Sequence, residues 1–551
     1  MEPAPSNGGT VFAKDAAVMA VGTAISRVTG FLRYAALAYV LGLTLRFGDT
    51  NLPSTYNLAN SMPNMIYDLV LGGIIASLFI PVFVEYMSTR SREEAWYVAS
   101  SVTNISVLLL GVVTVLGIVA SPLIIRLMTL FGSYSSGDVT TQVVRDQATF
   151  LLRFFVPQII FYGLSAIFGG LLNSHRHFTA PAFAPIVNNV VVIGTVVVFH
   201  FLPGPRDNYL HLVVLAVGTT IGVLAQALVQ IPALVRIGVR YTPVMDFKHP
   251  AIRKIGRLAV PLLGYIFLWQ VGTWFIFALA IQVDGGVPSY QYAQMFFQLP
   301  YGIFAVSIIT AIFPAMSEHA ALRKMSNFKD TLNMGIRSTV MIIVPCAVIY
   351  LTLNQPIIRF LLEHGFFKAG DTELLAGVLF FFALGLIPYS IDMLLVKTFY
   401  SIQDTRTPMI VSAFVVAINI GANILFFNWM GVKGLALGFA TAYSFSMVIH
   451  AVVLRIRLGR LGGRRLFATT IKTLAAAAAM ALIIYASSYL VTQLHPTTGL
   501  WRDLVEMLLP MAEGIVVFFF VAHALRMDEL GALKDMLSRQ LGRLLPRRLR
   551  K

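Results

Sequence analysis

The stretch AISRVTGFLRYAALAYVLG, Ala24–Gly42, places two arginines inside an otherwise apolar run. Arg27 lies twelve residues after Asp15, and Arg33 lies thirteen residues before Arg46. At the helical rise per residue, each arginine is roughly 18 Å or more from these flanking charges. An arginine at the bilayer centre costs about 3 to more than 10 kcal/mol, so it normally faces a water-filled cavity, an acidic partner or an anionic ligand. The stretch therefore predicts a membrane helix that carries a functional polar site.

The composition predicts that most of the chain lies in a membrane. The 551 residues are 57% hydrophobic and 12% charged, whereas soluble domains average about 25% charged residues. Apolar runs of about 20 residues, the length needed to span a bilayer, recur from Val11 to Leu525 with short polar breaks. The single cysteine, Cys346, excludes both a disulfide framework and a cysteine metal cluster.

The apolar runs predict about fourteen membrane helices. They are placed at 12–44, 52–87, 96–122, 146–173, 181–203, 209–235, 255–283, 289–317, 329–353, 373–401, 407–429, 432–454, 467–493 and 501–525. Roughly 30 of the 41 Lys and Arg fall on one side of this arrangement, which marks that side as cytoplasmic. Both termini are therefore predicted to be cytoplasmic. The N-terminus lacks the basic region and cleavage site of a secretory signal, so the first span is expected to be retained.

Two sequence patterns recur and predict an internal repeat. Pro81 is followed four residues later by Glu85, and Pro314 by Glu318, 233 residues further along the chain. The polar turn before Pro181 resembles the one before Pro408 at a similar offset. Two six-helix lobes in the same orientation are a transporter architecture. The predicted division of the chain is 1–240 and 241–458 for the lobes, 459–525 for helices 13 and 14, and 526–551 for a tail.

The tail, residues 526–551, has basic residues interleaved with leucines at helical spacing. This pattern is typical of an amphipathic helix on anionic membrane lipids. A protein partner is the alternative. Nucleic acid is not expected, because the basic residues behind the net charge of +16 are spread over short loops and this tail rather than over a folded face.

The ligand of the two arginines is predicted to be an anion. A guanidinium stays charged and binds phosphate in a bidentate way, so Arg27 and Arg33 facing a cavity favour a phosphorylated ligand. The alternative is a buried ion pair with Asp68 in the second helix, but one carboxylate cannot neutralise two arginines about 9 Å apart along the helix. Gly30, midway between them, is a candidate position for a bend or a close approach.

Other polar residues in the spans are weaker candidates. Asp392 follows Pro388, where a freed carbonyl and a carboxylate are candidate ligands of a cation; helix packing is the equal alternative. Two amide pairs have i, i+4 spacing, and interhelical hydrogen bonding is the main interpretation of both. They are Asn419 with Asn423, and Gln294 with Gln298.

The sequence contains no P-loop, HExxH or GxSxG motif, so the protein is not expected to be an enzyme. No catalytic residue, bound metal or cofactor is predicted. Transport would then be driven by an ion gradient, by the membrane potential or by the substrate gradient.

Four stretches of the sequence resemble the MurJ (MviN) lipid II flippase family of the multidrug/oligosaccharidyl-lipid/polysaccharide exporter superfamily. The resemblance rests on four stretches, of which the S-R-V-x-G-F-x-R pattern of Ser26–Arg33 is the most specific. They are Ala24–Gly42, Asn60–Tyr86 (NSMPNMIYDLVLGGIIASLFIPVFVEY), Gln298–Ala320 (QLPYGIFAVSIITAIFPAMSEHA) and Phe399–Pro408 (FYSIQDTRTP).

The resemblance implies a fourteen-helix transporter with two six-helix lobes around a cationic cavity and two further helices that form a hydrophobic groove. It implies that Arg27 and Arg33 engage the pyrophosphate of lipid II. It also implies location in the bacterial cytoplasmic (inner) membrane, a role in cell-wall biosynthesis, and proteins of cell-wall synthesis as candidate partners.

The chain departs from the family pattern at its other cavity cations. Tyr67 and Asp68, just after Asn64, stand where family members carry a second-helix arginine. In the eighth helix Met295, with Gln294 and Gln298 nearby, stands where they carry another. The acid of the family's sodium site is replaced by an apolar residue near Ile276, whereas Asn419 and Asn423 resemble its eleventh-helix pair. The sequence therefore leaves two alternatives for the energy source of transport: coupling to a monovalent cation, or the membrane potential alone.

The leading prediction is a lipid II flippase that moves an undecaprenyl-pyrophosphate saccharide to the outer leaflet by alternating access. The alternatives are an exporter of another polyprenyl-linked saccharide and a drug/cation antiporter of the same superfamily. The arginines argue against the antiporter, which should prefer a carboxylate-lined cavity. A membrane glycosyltransferase would need an acidic loop; the longest outward loop offers only Asp138 and Asp146. A scaffold without transport activity has no support in the sequence.

Overall fold

The computed structural model describes residues 8–44, 51–72, 79–130, 138–175, 177–206, 208–459, 463–494, 499–527 and 529–531. All regular secondary structure in these ranges is helical, which confirms the predicted all-α class. The helices up to α10 are α1 (Gly8–Leu41), α2 (Leu52–Tyr67), α3 (Ile80–Thr89), α4 (Arg92–Met128), α5 (Asp138–Phe155), α6 (Gln158–Ser174), α7 (Thr179–Phe201), α8 (Tyr209–Leu228), α9 (Ile231–Arg236) and α10 (Pro250–Ala280). Those that follow are α11 (Gly286–Pro300), α12 (Val306–Ala321), α13 (Met325–Leu362), α14 (Ala369–Ser401), α15 (Arg406–Met430), α16 (Val432–Leu458), α17 (Gly463–Leu494) and α18 (Leu500–Ala524).

Each of the fourteen predicted spans contains helix. Within the described ranges, eleven helices are long and apolar enough to cross a membrane. The prediction of a multi-pass helical membrane protein is therefore confirmed, while the count of fourteen crossings stays a prediction. The predicted basic tail lies outside the described residues from 532 onward.

The helical winding changes from α to π next to α2 and again next to α11. A π-helical turn, Asp68–Gly72, follows α2, and another, Tyr301–Ala305, joins α11 to α12. The two turns begin 233 residues apart, the same offset that separates Pro81 from Pro314. A π-helical turn is rare and often marks a functional position. Its recurrence at this offset supports the internal repeat inferred from the sequence.

Contacts divide the chain into two compact units. The first unit comprises the described residues up to Pro288 together with His364–Lys368. The second unit comprises Ser289–Glu363 and the described residues from Ala369 onward. The lobe boundary predicted at residue 240 was drawn from the repeat, not from contacts, and stays a prediction.

Close helix packing positions α1 and α2 in the first unit. A Cβ atom at Gly22 would lie 2.7 Å from Cβ of Ala182, so α1 packs directly on α7 at this point. The hydroxyl of Tyr56 on α2 is 3.0 Å from Oγ1 of Thr219 on α8. These contacts fix the two helices that carry the predicted arginine site.

In the second unit, buried polar groups connect α13 to its neighbours. Glu506 on α18 is buried and accepts hydrogen bonds from Arg359 at 3.0 Å and from Arg502 at 2.6 Å. At the other end of α13, Arg337 donates to buried Glu529 at 2.9 Å. A buried carboxylate is stable only when it is paired in this way.

Candidate anion-binding site

Tyrosine side chains surround Arg33 in the first unit. Its Cζ atom lies 4.9 Å from the centroid of the Tyr34 ring. Tyr34, Tyr56 and Tyr162 all interact electrostatically with the guanidinium, and Tyr34 also accepts a hydrogen bond from it. Nε of Arg33 is buried and has no hydrogen-bond partner among the residues that the structure describes. Aromatic faces and hydroxyls thus hold this cation without neutralising it, which leaves its positive charge available to a ligand.

Asn64 and Tyr67, both predicted from the sequence, belong to the same cluster. Asn64 forms a side-chain hydrogen bond with Tyr162 of α6. The rings of Tyr67 and Tyr162 have centroids 6.0 Å apart. Since Tyr162 also neighbours Arg33, the structure brings these predicted residues together around one cation.

Asp68 has a different partner from the one considered in the sequence. It is exposed, begins the π-helical turn after α2, and accepts a side-chain hydrogen bond from Gln270 of α10. Within the described residues no ion pair joins Asp68 to Arg33. Neutralisation by Asp68 is therefore not how Arg33 is accommodated.

Arg27 is partly buried one and two-thirds turns before Arg33 on α1. Six helical residues separate the two side chains by about 9 Å along the axis and by about 120° around it. Gly30 between them allows the side chain of Asn189 on α7 to approach, since a Cβ atom at Gly30 would lie 3.6 Å from its Nδ2. Asn189 donates to the carbonyl of Ser26 and to Oγ1 of Thr29. Of the two roles predicted for Gly30, close approach is observed, and α1 continues as one helix through this position.

The remaining predicted residues belong to the second unit. Gln294 and Gln298 lie on α11, just before the second π-helical turn, and are partly buried. On α15, Nδ2 of Asn423 donates to Oδ1 of Asn419 at 2.9 Å, so this pair bonds within one helix. Oδ1 of Asn423 is buried and has no hydrogen-bond partner in the described part of the chain.

Asp392 is bound to a residue that the sequence analysis did not connect with it. Its Oδ1 lies 2.7 Å from Nδ1 of His450 and accepts a hydrogen bond from Ser446 at 2.9 Å. These contacts join α14 to α16 and favour the helix-packing interpretation of Asp392. The i, i+4 spacing of Ser446 and His450 indicated one polar face on α16, but no local signal related that face to Asp392. Within the described ranges, no three His, Cys, Asp or Glu side chains come together to form a metal site.

The fold is that of a transporter of the MOP superfamily. The solved structure "Lipid II flippase MurJ, inward closed conformation" matches with a TM-score of 0.73 and 24% identity, covering 93% of this chain and 99% of that one. An inward-facing multidrug resistance MATE family transporter of the MOP superfamily matches with a TM-score of 0.64 and 16% identity, covering 80% of this chain and 99% of that one. The chain belongs to the MurJ family, whose model, "Lipid II flippase MurJ", matches residues 44–503.

Curated relatives confirm the resemblance seen in the sequence. A "Probable lipid II flippase MurJ" of Rhizobium tropici is 27% identical over 525 residues, which is 94% of each chain. Another of Borreliella burgdorferi is 28% identical over 439 residues, 79% of this chain and 80% of that one. The family match begins at residue 44, beyond Arg27 and Arg33. The role of these arginines therefore rests on the sequence motif and on the tyrosine cluster.

Proposed function

We propose that this protein moves lipid II, an undecaprenyl-pyrophosphate-linked saccharide, across the membrane by alternating access. The observation that carries the proposal is the Arg33 guanidinium on α1, which three tyrosines surround and which forms no ion pair with Asp68 within the described residues. Membership of the MurJ family favours this substrate over another polyprenyl-linked saccharide and over a drug. The protein acts as a transporter and not as an enzyme.

Arg27 and Arg33 bind the pyrophosphate of the substrate. A pyrophosphate diester carries two negative charges, which two guanidinium groups match, and each guanidinium can donate two parallel hydrogen bonds. Asn64, Tyr67 and the tyrosine hydroxyls near Arg33 supply neutral donors within the first unit. The anion is thus bound by two cations and several neutral groups, in place of the larger set of cations expected from the family.

Coupling by a monovalent cation is a further part of the proposal. The buried Oδ1 of Asn423 is an oxygen ligand without a hydrogen-bond partner in the described residues, and Asn419 is bonded to the same side chain. Asp392 is less suited to this role, because His450 and Ser446 already occupy its Oδ1. Where no cation binds, the membrane potential drives transport.

The proposed location is the bacterial cytoplasmic membrane with both termini in the cytoplasm, as the distribution of Lys and Arg indicates. Proteins of cell-wall synthesis are the proposed partners, because they use lipid II on the outer side of the membrane.

The test measures flipping of fluorescent lipid II in proteoliposomes that contain the full-length protein. We expect Arg27→Ala and Arg33→Ala each to abolish flipping while membrane insertion and thermal stability are kept. The matched control is Arg153→Ala, which removes an exposed arginine from α5. A folded double variant that still flips lipid II would contradict the proposal. A second arm with a different undecaprenyl-pyrophosphate saccharide separates the alternative substrate from lipid II.

A further inference from the structure

A connecting segment without regular secondary structure lies between α9 and α10. This segment, Val239–His249, is called the strap, and it runs along the first part of α4. The amide N–H of Thr242 donates to Ser100 at 3.1 Å, and that of Asp246 donates to Ser101 at 2.8 Å. Nδ2 of Asn104 donates to the carbonyls of Thr242 and Val244. The strap is therefore fixed in position by α4 along most of its length.

The end of the strap sets the start of α10. Oδ1 of Asp246 accepts the amide N–H groups of Lys248 and His249 at 2.9 and 3.0 Å. Nδ1 of His249 accepts the N–H of Ala251 at 3.2 Å, which caps α10, and Pro250 occupies its first turn. Caps and an initial proline of this kind define where a helix begins. The basic side chains in the first turns of α10 therefore project from a backbone that these hydrogen bonds hold in place.

An open recess of about 430 Å³ lies at this base. It is lined by the four exposed cations and two apolar residues of one segment: Lys248, Pro250, Arg253, Lys254, Arg257 and Leu258. We call it the basic recess. Glu85 of α3 pairs with one of these cations, Lys254, at 2.8 Å. The carboxylate of Asp246, also nearby, accepts backbone N–H groups and the hydroxyl of Tyr97. Within the described part of the chain these contacts bring two acids to four cations, so the recess carries an excess of positive charge.

Exposed apolar side chains accompany this charge. Tyr241, Met245 and Phe247 on the strap are 61%, 52% and 58% exposed. Large apolar groups beside Lys and Arg are typical of a surface at the boundary between lipid headgroups and acyl chains. A soluble phosphate compound without an apolar part would make no favourable contact with these apolar side chains. The occupant of the recess should therefore combine an anionic phosphate with an acyl chain.

We propose that the basic recess binds the phosphodiester headgroup of an anionic glycerophospholipid in the cytoplasmic leaflet. Arg253 and Arg257, one turn apart on α10, face the phosphate from one helix, while Lys248 and Lys254 add charge from either side. Tyr241, Met245 and Phe247 lie among the adjoining acyl chains. This site is separate from the tyrosine cluster at Arg33 and places lipid contact on the strap, in addition to the basic tail.

The test uses the single cysteine of the chain to place a reporter. A bimane fluorophore is attached to Met245→Cys in a Cys346→Ser background, and the full-length protein is reconstituted in nanodiscs of phosphatidylcholine with increasing phosphatidylglycerol. We expect a saturable, salt-sensitive spectral shift. In the variant Arg253→Gln, Lys254→Gln, Arg257→Gln the apparent affinity should fall roughly a hundredfold, since each basic residue near an anionic surface contributes about tenfold or less.

The matched control removes three exposed cations elsewhere, with Arg323→Gln, Lys324→Gln and Arg455→Gln. It should keep the wild-type response, and the single variant Arg257→Gln should show an intermediate one if the triple variant is unstable. Equal loss in the control would overturn the proposal in favour of diffuse surface charge. A shift produced by added undecaprenyl pyrophosphate and not by phosphatidylglycerol would overturn the assigned ligand, and no shift with either would overturn the site.

Discussion

Nδ1 of His450 lies 2.7 Å from Oδ1 of Asp392, although 58 residues separate them and each residue is only 1% exposed. The pair joins α14 to α16 inside the second unit. Two buried ionisable groups stabilise the fold only as a pair, because the removal of either one leaves the other buried without its main partner.

Removal of one partner should therefore destabilise the protein strongly. We expect Asp392→Ala to lower the free energy of unfolding by about 3 kcal/mol or more, and Asp392→Asn to lower it less because an acceptor for His450 remains. Unfolding titrations in mixed micelles measure the difference. Ser444→Ala is the control, since the Ser444 hydroxyl donates to the carbonyl of Ala440 in its own helix. A cost no larger than that of the control would show that the pair contributes little.

The two arginines on Glu506 should be energetically coupled to it. We expect a double-mutant cycle of Arg359→Met and Glu506→Gln to give a coupling free energy of about 1 to 3 kcal/mol, because the carboxylate is buried between its partners. The exposed pair of Arg240 and Glu93, 3.3 Å apart, is the control and should give about 0.5 kcal/mol or less. Equal coupling in the two cycles would mean that burial of Glu506 has no effect.

Gly434 should be intolerant of any side chain. A Cβ atom there would lie 2.2 Å from the carbonyl oxygen of Phe426, a backbone atom that cannot move aside. We expect Gly434→Ala to destabilise the contact of α15 with α16 by about 2 kcal/mol. Gly421→Ala, where a Cβ atom would meet nothing within 4 Å, should be neutral or stabilising by up to about 1 kcal/mol. Thermal unfolding of the two variants in one detergent tests both statements together.

The turn before α15 should make stability depend on pH. Burial acts to raise the pKa of Asp404, but hydrogen bonds from Thr407 and Arg457 outweigh it and hold that pKa below its ordinary value. The stabilisation is therefore present at neutral pH and is lost as the pH falls below about 4, through the lowered pKa. Asp404→Asn should cost about 0.5 kcal/mol at neutral pH and nothing at low pH. A difference in melting temperature that stays constant from pH 7 to pH 3 would contradict this account.

Arg33 should not be replaceable by lysine. Arg33→Lys keeps the charge but loses the bidentate geometry and the stacking on Tyr34, so we expect the rate of lipid II flipping to fall about tenfold or more. Arg153→Lys is the control and should leave the rate unchanged. Full activity of Arg33→Lys would show that the site needs only a positive charge.

Much of the fold could be predicted because a bilayer imposes one rule on every segment that crosses it. Runs of about 20 apolar residues must be helical, since no water is present to satisfy the backbone. The wide turns at Asp68–Gly72 and Tyr301–Ala305 were not predicted, because nothing in five residues distinguishes a π-helical turn from an α-helical one. Their geometry depends on how neighbouring helices pack.

The candidate site was predicted only in part, because the contacts between its helices cannot be seen in the sequence. Arg27 and Arg33 stood out because charge in an apolar run is costly. Tyr56 and Tyr162 did not, since aromatic residues in apolar runs are ordinary packing groups until a cation is found beside them. The pairing of Asp392 with His450 was likewise invisible, because spacing along the chain says nothing about contacts between distant helices.

The π-helical turns Asp68–Gly72 and Tyr301–Ala305 are places where the helical winding can change locally. Each turn holds one residue more than α-helical geometry uses. Successive α-helical residues are about 100° apart, so passing that residue to a neighbouring turn would rotate the helix beyond it by about 100° and change its length by only about 1.5 Å. Glu318 on α12 lies beyond the turn Tyr301–Ala305, which runs directly into that helix. A local change of winding at Tyr301–Ala305 would thus turn the carboxylate of Glu318 towards a different neighbour.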